Sequence, residues 1–146
     1  MVTDVPGKGD VLIVEDDLVF ASLLAAELAT RGWSSAVHIS AESALAWLAT
    51  ETPRALLLDL LLPGLTGEQF LQSLHEWLPD LPVVVVTGLD LDAAARLKLA
   101  AQGVVQVLRK GRGVAAAAAN TVAARLAGSG IVQPTVSKEG QGGTGT

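Results

Sequence analysis

In this 146-residue chain, the side chains best suited to joint chemistry stand just past apolar runs. Glu15, Asp16 and Asp17 follow Val11 to Val14, Asp59 follows Ala55 to Leu58, Thr87 follows Pro82 to Val86, and Lys110 comes after Val104 to Leu108. If these run ends converge, the site holds several carboxylates, a hydroxyl and an ammonium. Neighbouring carboxylates resist joint ionisation unless a cation sits among them, so the cluster implies a hard divalent metal. Oxygen ligands without histidine or thiol favour magnesium over zinc. A magnesium ion, a lysine and a hydroxyl around a free carboxylate suit a phosphoryl group, whose oxygens need positive charge and donors.

Taken singly, each residue has a plainer explanation. Glu15, Asp16 and Asp17 suit the positive end of a helix dipole. Thr87 suits a strand terminus or a cap, and Lys110 a solvated loop. Asp59 is harder to dismiss, because it interrupts the leucine run Leu56 to Leu62, where an uncompensated charge is costly, although it could still be a turn aspartate before Pro63 and Gly64. Joint placement at four run ends favours one site over four coincidences.

The elements that would position these residues are short apolar runs alternating with helical patterns. Val11 to Val14, Trp33 to Ile39, Ala55 to Leu58, Pro82 to Val86 and Val104 to Leu108 read as strands, several apolar at successive positions, as expected for strands buried on both faces of a parallel sheet. Helical faces are formed by Phe20, Leu23, Leu24 and Leu28, by Ala41, Ala44, Leu45 and Leu48, and by Leu71, Leu74 and Leu78. Thr66 with Gln69 predicts a capping box. Two alanine-rich helices are expected at about Asp90 to Ala101 and Val114 to Ala127. The alternation predicts an α/β domain, a doubly wound five-stranded parallel sheet with five helices, whose ligand site lies at the carboxyl ends of the strands.

Composition narrows the function. Half of the chain is hydrophobic and the net charge is −5, which permits a packed core. The aromatic fraction is 3% and acidic side chains outnumber basic ones, which argues against base stacking and phosphate-backbone binding; no direct nucleic acid partner is expected. The chain has no cysteine, which excludes a disulfide scaffold, a zinc-thiolate site and a cysteine nucleophile. No apolar run approaches the ~20 residues of a membrane span and Met1 to Asp10 has no signal-like apolar core, so a cytoplasmic protein is expected. Residues 1–9 read as a flexible N-terminus, 10–127 as the domain, and 128–146 as a glycine-rich flexible tail with no output domain. In that tail, Gly140 to Gly145 matches a dinucleotide fingerprint in letters only, because no strand-to-helix turn can accompany it.

Val14-Glu15-Asp16-Asp17, Asp59 with Pro63 and Gly67 beyond it, Thr87-Gly88 and Lys110 together resemble the receiver domain of two-component response regulators. The resemblance covers Asp10 to about Ala127 and implies the flavodoxin-like receiver fold. It implies that Asp59 accepts a phosphoryl group from a histidine kinase or phosphotransfer protein, forming an acyl phosphate in a phosphorelay rather than a turnover enzyme. It implies Mg2+ held directly by Asp16 and Asp59, by Glu15 through water and by the Leu61 backbone carbonyl. Lys110 would pair with Asp59 or the phosphoryl oxygens, and Thr87 would hydrogen-bond the phosphoryl group. The output would be a protein target of unknown identity, reached through a partner-binding surface.

Two positions depart from the family pattern. Gly111 stands where a proline usually follows the lysine, and Val107 where a switch aromatic usually stands. They motivate an alternative, a degenerate receiver that binds partners independently of phosphorylation. A haloacid-dehalogenase-type phosphatase fits less well, because it wants a second aspartate where Leu61 stands.

Overall fold

The structure is a computed structural model and describes residues 9–129. Its elements run β1 (Val11–Val14), α1 (Leu18–Thr30), β2 (Ser35–His38), α2 (Ala41–Leu48), β3 (Ala55–Leu58), α3 (Gly67–Trp77), β4 (Val83–Thr87), α4 (Ala93–Ala101), β5 (Val104–Arg109) and α5 (Val114–Ser129). All strand pairs are parallel, in the order β2-β1-β3-β4-β5. The expected doubly wound sheet with five helices is therefore present.

Position in the sheet explains the strand sequences. β1, β3 and β4 are buried at every residue, matching their unbroken apolar runs, whereas the edge strands β2 and β5 carry exposed positions. Leu12, Val14, Leu56, Leu58 and Val85 pack on one face with Phe70, Leu71 and Leu74 of α3 and with α2 and α4. Val11, Ile13, Leu57, Val84 and Val86 pack on the other with Leu24 and Leu28 of α1 and Val122 and Leu126 of α5. Each such side chain, fully buried, contributes roughly 1.5–3 kcal/mol, so both layers are strongly tied to the sheet.

The helix starts follow local chemistry. Asp17, Ser40, Thr66 and Asp92 cap α1, α2, α3 and α4, each accepting from a backbone N–H of the first turn. The Thr66–Gln69 capping box is formed in full.

Several expected boundaries shift. The second strand begins at Ser35 rather than Trp33, because the Trp33 N–H turns back to the Leu28 carbonyl and its ring stacks under Arg54 at 5.0 Å. β4 takes in Thr87 and β5 takes in Arg109, the last pair in register across the two strands. α4 starts after Asp92, not at Asp90, because the Asp92 side chain caps it. On α1 the buried stripe is Ala21, Leu24 and Leu28, while Leu23 is exposed. α5 continues through Gly128 to Ser129, past the expected end at Ala127. The expected flexible N-terminus, but for Gly9, and the remainder of the glycine-rich tail lie outside the described residues. Among the described residues no helix is long and apolar enough to cross a membrane.

Candidate functional site

The strand order reverses direction between β1 and β3, the place where open α/β sheets bind ligands. Val14 and Leu58 are paired in register there, so the residues after them, Glu15 and Asp59, leave the sheet side by side. The Asp59 N–H donates to the Val14 carbonyl at 3.1 Å, and the Glu15 N–H to the His38 carbonyl at 2.9 Å. On the other side, Thr87 pairs with Arg109 and its carbonyl accepts the Lys110 N–H at 2.8 Å, which places Lys110 at the same edge.

α3 closes this edge from below β3. A Cβ added at Gly67 would lie 2.5 Å from Leu60 Cα and 2.8 Å from the Asp59 carbonyl oxygen, so only glycine admits this approach. The Gly67 N–H donates to the Leu60 carbonyl at 3.2 Å, fixing the chain just past Asp59.

The side chains converge. Glu15, Asp16 and Asp59 each place a carboxylate oxygen within 4.8 Å of the others, an arrangement able to hold a metal ion. The Lys110 ammonium lies 2.7 Å from Glu15 Oε1 and 3.1 Å from Asp59 Oδ2. Glu15 and Asp59 are buried and Asp16 is exposed, so two of the carboxylates sit in the floor and one at the rim. Asp59 Oδ1 accepts the Leu61 N–H at 3.0 Å, and Glu15 Oε2 accepts the Asp17 N–H at 3.0 Å. Thr87 is wholly buried, its hydroxyl oxygen accepting the Leu89 N–H at 3.2 Å.

Charge shapes the titration of this cluster. Burial is the main force raising the Glu15 carboxyl to about 7; the Asp59 charge adds to it, and the Lys110 and Asp17 hydrogen bonds work against it. Burial works against the Lys110 ammonium, but its hydrogen bonds to Glu15 and Asp59 and their charges outweigh it, so Lys110 is raised. One cation thus serves two buried carboxylates, leaving the floor short of positive charge and suited to accept a metal.

The sequence-predicted residues Glu15, Asp16, Asp59, Thr87 and Lys110 are therefore brought to one edge, with Leu61 joined to Asp59 through its N–H. Asp17 is set apart: its Oδ1 caps α1 through the N–H groups of Val19, at 3.0 Å, and Phe20, at 3.1 Å. Phe20, read from the sequence only as part of a core face, places its ring 4.8 Å from the Lys110 ammonium. A groove of about 790 Å³ among the described residues is lined by Arg54, Pro79, Pro82, Gly103 and Arg125 among others and contains none of these site residues.

The model of the response regulator receiver domain family matches residues 11–118. The chain belongs to that family. Receiver domains serve two-component systems, in which phosphorylation and Mg2+ binding are typical, and they interact with histidine kinases and downstream effectors. The DNA-binding transcriptional regulator NtrC of Salmonella typhimurium is 36% identical over 88 residues, which is 60% of this chain and 19% of NtrC. This receiver chain thus spans about a fifth of the length of that relative. The receiver domain of NtrX from Brucella abortus is 28% identical with a TM-score of 0.68, covering 82% of this chain and 99% of that one. A CheY-like receiver domain protein from Methanospirillum hungatei shares the fold with a TM-score of 0.72 at 21% identity, over 81% of this chain and 93% of that one.

Proposed function

We propose that this receiver domain accepts a phosphoryl group on Asp59 from a histidine kinase or phosphotransfer protein and signals through a partner-binding surface. The observation that carries this reading is a buried carboxylate, Asp59, 3.1 Å from a lysine and within 4.8 Å of two further carboxylates. Asp16 and Asp59 would hold Mg2+ directly, with Glu15 through water and the Leu61 carbonyl completing the protein ligands. When bound, the ion supplies positive charge for the oxygens of the transferring group.

Asp59 needs no general base, because its carboxylate already carries the attacking lone pair. One Asp59 oxygen bonds to phosphorus, the bond from phosphorus to the donor nitrogen breaks, and the imidazole leaves with that electron pair. Lys110 then has phosphoryl oxygens within reach in place of the Asp59 oxygen it now contacts. The Thr87 hydroxyl, whose oxygen now accepts from Leu89, would turn to donate its O–H to the new group. Hydrolysis returns the free carboxylate, so the site cycles between two signalling states and is not a turnover enzyme. We place this activity in the cytoplasm, where phosphohistidine donors of this kind act.

The test is incubation with acetyl phosphate or a cognate kinase and magnesium, followed by peptide mapping. A hydroxylamine-labile adduct on Asp59 is expected; folded protein that stays unmodified under both donors overturns the reading. The open loop at Gly111, where a Cβ would meet no atom within 4 Å, favours one second reading, a receiver that binds partners independently of phosphorylation. In that case Asp59→Asn leaves partner binding unchanged.

A further inference from the structure

The chain after Lys110 does little to fix its side chain. Gly111 is surrounded by open space and Gly113 adopts φ +78°, so the loop lacks both side-chain packing and a stiff residue. The Lys110 backbone is tied to β4 through Thr87, but the ammonium beyond it depends on what the side chain touches. It touches Glu15, Asp59 and, at 4.8 Å from the ring centroid, Phe20. That distance lies within the ~6 Å range over which an aromatic face attracts a cation.

We propose that Phe20 is a positioning residue for Lys110, its ring face holding the ammonium over the acidic cluster while the carboxylate contacts are exchanged for phosphoryl oxygens. The proposal rests on the reading of Asp59 as the phosphoacceptor. A third carboxylate in this place would tether the lysine by charge and compete with the incoming group. An aromatic face attracts the ammonium without offering a competing anionic oxygen. The ring is itself well placed for this task. The Phe20 N–H is held by the Asp17 cap at 3.1 Å, and the side chain packs against the core shared by α1 and α5. Asp17, which stands outside the carboxylate cluster, thereby orients the helix turn that presents the ring.

The test uses NMR of the full chain and binding of beryllofluoride with magnesium. In the wild type, the ring current should displace the Lys110 Cε methylene protons upfield of their random-coil positions. Phe20→Leu keeps apolar bulk and loses the ring; it should return those protons toward random-coil positions and weaken beryllofluoride binding roughly three- to tenfold. Phe20→Trp should restore both, and Phe20→Met serves as the ringless variant if Phe20→Leu does not give a folded amide spectrum. Lys110 protons at random-coil positions in the wild type overturn the proposal. So does a folded ringless variant with wild-type affinity, or a tryptophan variant that binds as weakly as the ringless one. A wild type that binds no beryllofluoride overturns the phosphoacceptor reading instead, and the methylene shifts then report separately on the contact.

Discussion

The Lys110 ammonium is 2.7 Å from Glu15 Oε1, so the lysine at the end of β5 is tied to the end of β1 as well as to Asp59. The pair crosses the sheet without closing its own charge balance, because Asp59 adds a second carboxylate to the same cation. Burial first, then the Asp59 charge, lifts Glu15 to about 7. The folded state therefore binds a proton at Glu15 that the unfolded state releases near its ordinary value of 4.5. The stability this group contributes is complete below that ordinary value and is lost as pH rises through about 7. Glu15→Gln should flatten that portion of the urea-stability profile between pH 5 and 8. Because metal binding needs the carboxylate ionised, apparent Mg2+ affinity should weaken as pH falls below about 7. Amide shifts of Asp16 and Asp59 during magnesium titrations at several pH values check this; a pH-independent affinity would contradict it.

The three-charge floor also predicts opposite outcomes for its members. Asp59→Asn removes one of two carboxylates sharing a lysine, so the adduct should disappear while stability is unchanged or rises by about 1 kcal/mol. Lys110→Met leaves Glu15 and Asp59 buried without their cation and should cost ~3 kcal/mol at pH 8. Urea denaturation of both variants measures the difference. Equal losses would show that the cluster is held by packing rather than by charge.

Two glycines near the site should respond differently to alanine. At Gly67 the added methyl would meet Leu60 Cα at 2.5 Å, backbone that cannot move without shifting Asp59. Gly67→Ala should cost ~2–3 kcal/mol and move the Asp59 amide resonance. At Gly111 nothing lies within 4 Å, so Gly111→Ala should leave stability within about 0.5 kcal/mol of wild type, or raise it slightly by restricting the unfolded chain. Thermal unfolding of the two variants side by side checks the contrast.

The parts of this fold that were legible in the sequence are those written by burial and by capping. β1, β3 and β4 are central strands covered on both faces, so their apolar runs have no other use, and Thr66 with Gln69 announces its own geometry. The sequence pattern makes the edge strand β2 too long because Trp33 is apolar for a reason unrelated to the sheet, its contact with Arg54. Leu23 shares the spacing of a core face yet is exposed, because the buried stripe of α1 runs through Ala21, Leu24 and Leu28 instead. The run-end residues of the site were legible because parallel topology turns strand ends into one edge. Two relationships were not: the direct Glu15–Lys110 ion pair and the approach of Phe20 to that lysine. Both cross between elements far apart in the chain, and helical periodicity explains Phe20 equally well as core. The sequence signal that would have raised Phe20 is its place in the first turn of the helix that starts beside Asp16 and Asp17.

Thr87 offers a local reporter of switching that does not depend on an aromatic at Val107. Its hydroxyl oxygen accepts the Leu89 N–H at 3.2 Å in the unphosphorylated arrangement, and the side chain is wholly buried. On the proposed reading, a phosphoryl group on Asp59 would recruit that hydroxyl as a donor, and the buried side chain would give up its contact with Leu89 as it swings toward the new group. The Leu89 amide should therefore lose its partner on activation, shift in its proton resonance and exchange faster with solvent. Leu89 packs against the core on the α4 side of the sheet, so the change should pass toward α4 through apolar contact rather than through rotation of a ring on β5. Val107, already partly buried on the same side, should show a smaller perturbation. Amide hydrogen exchange with and without magnesium beryllofluoride measures both sites, and Thr87→Val, which keeps the shape and removes the hydroxyl, should abolish the activation-dependent change at Leu89. A response at Leu89 that survives Thr87→Val would mean that the phosphoryl group moves α4 by another route.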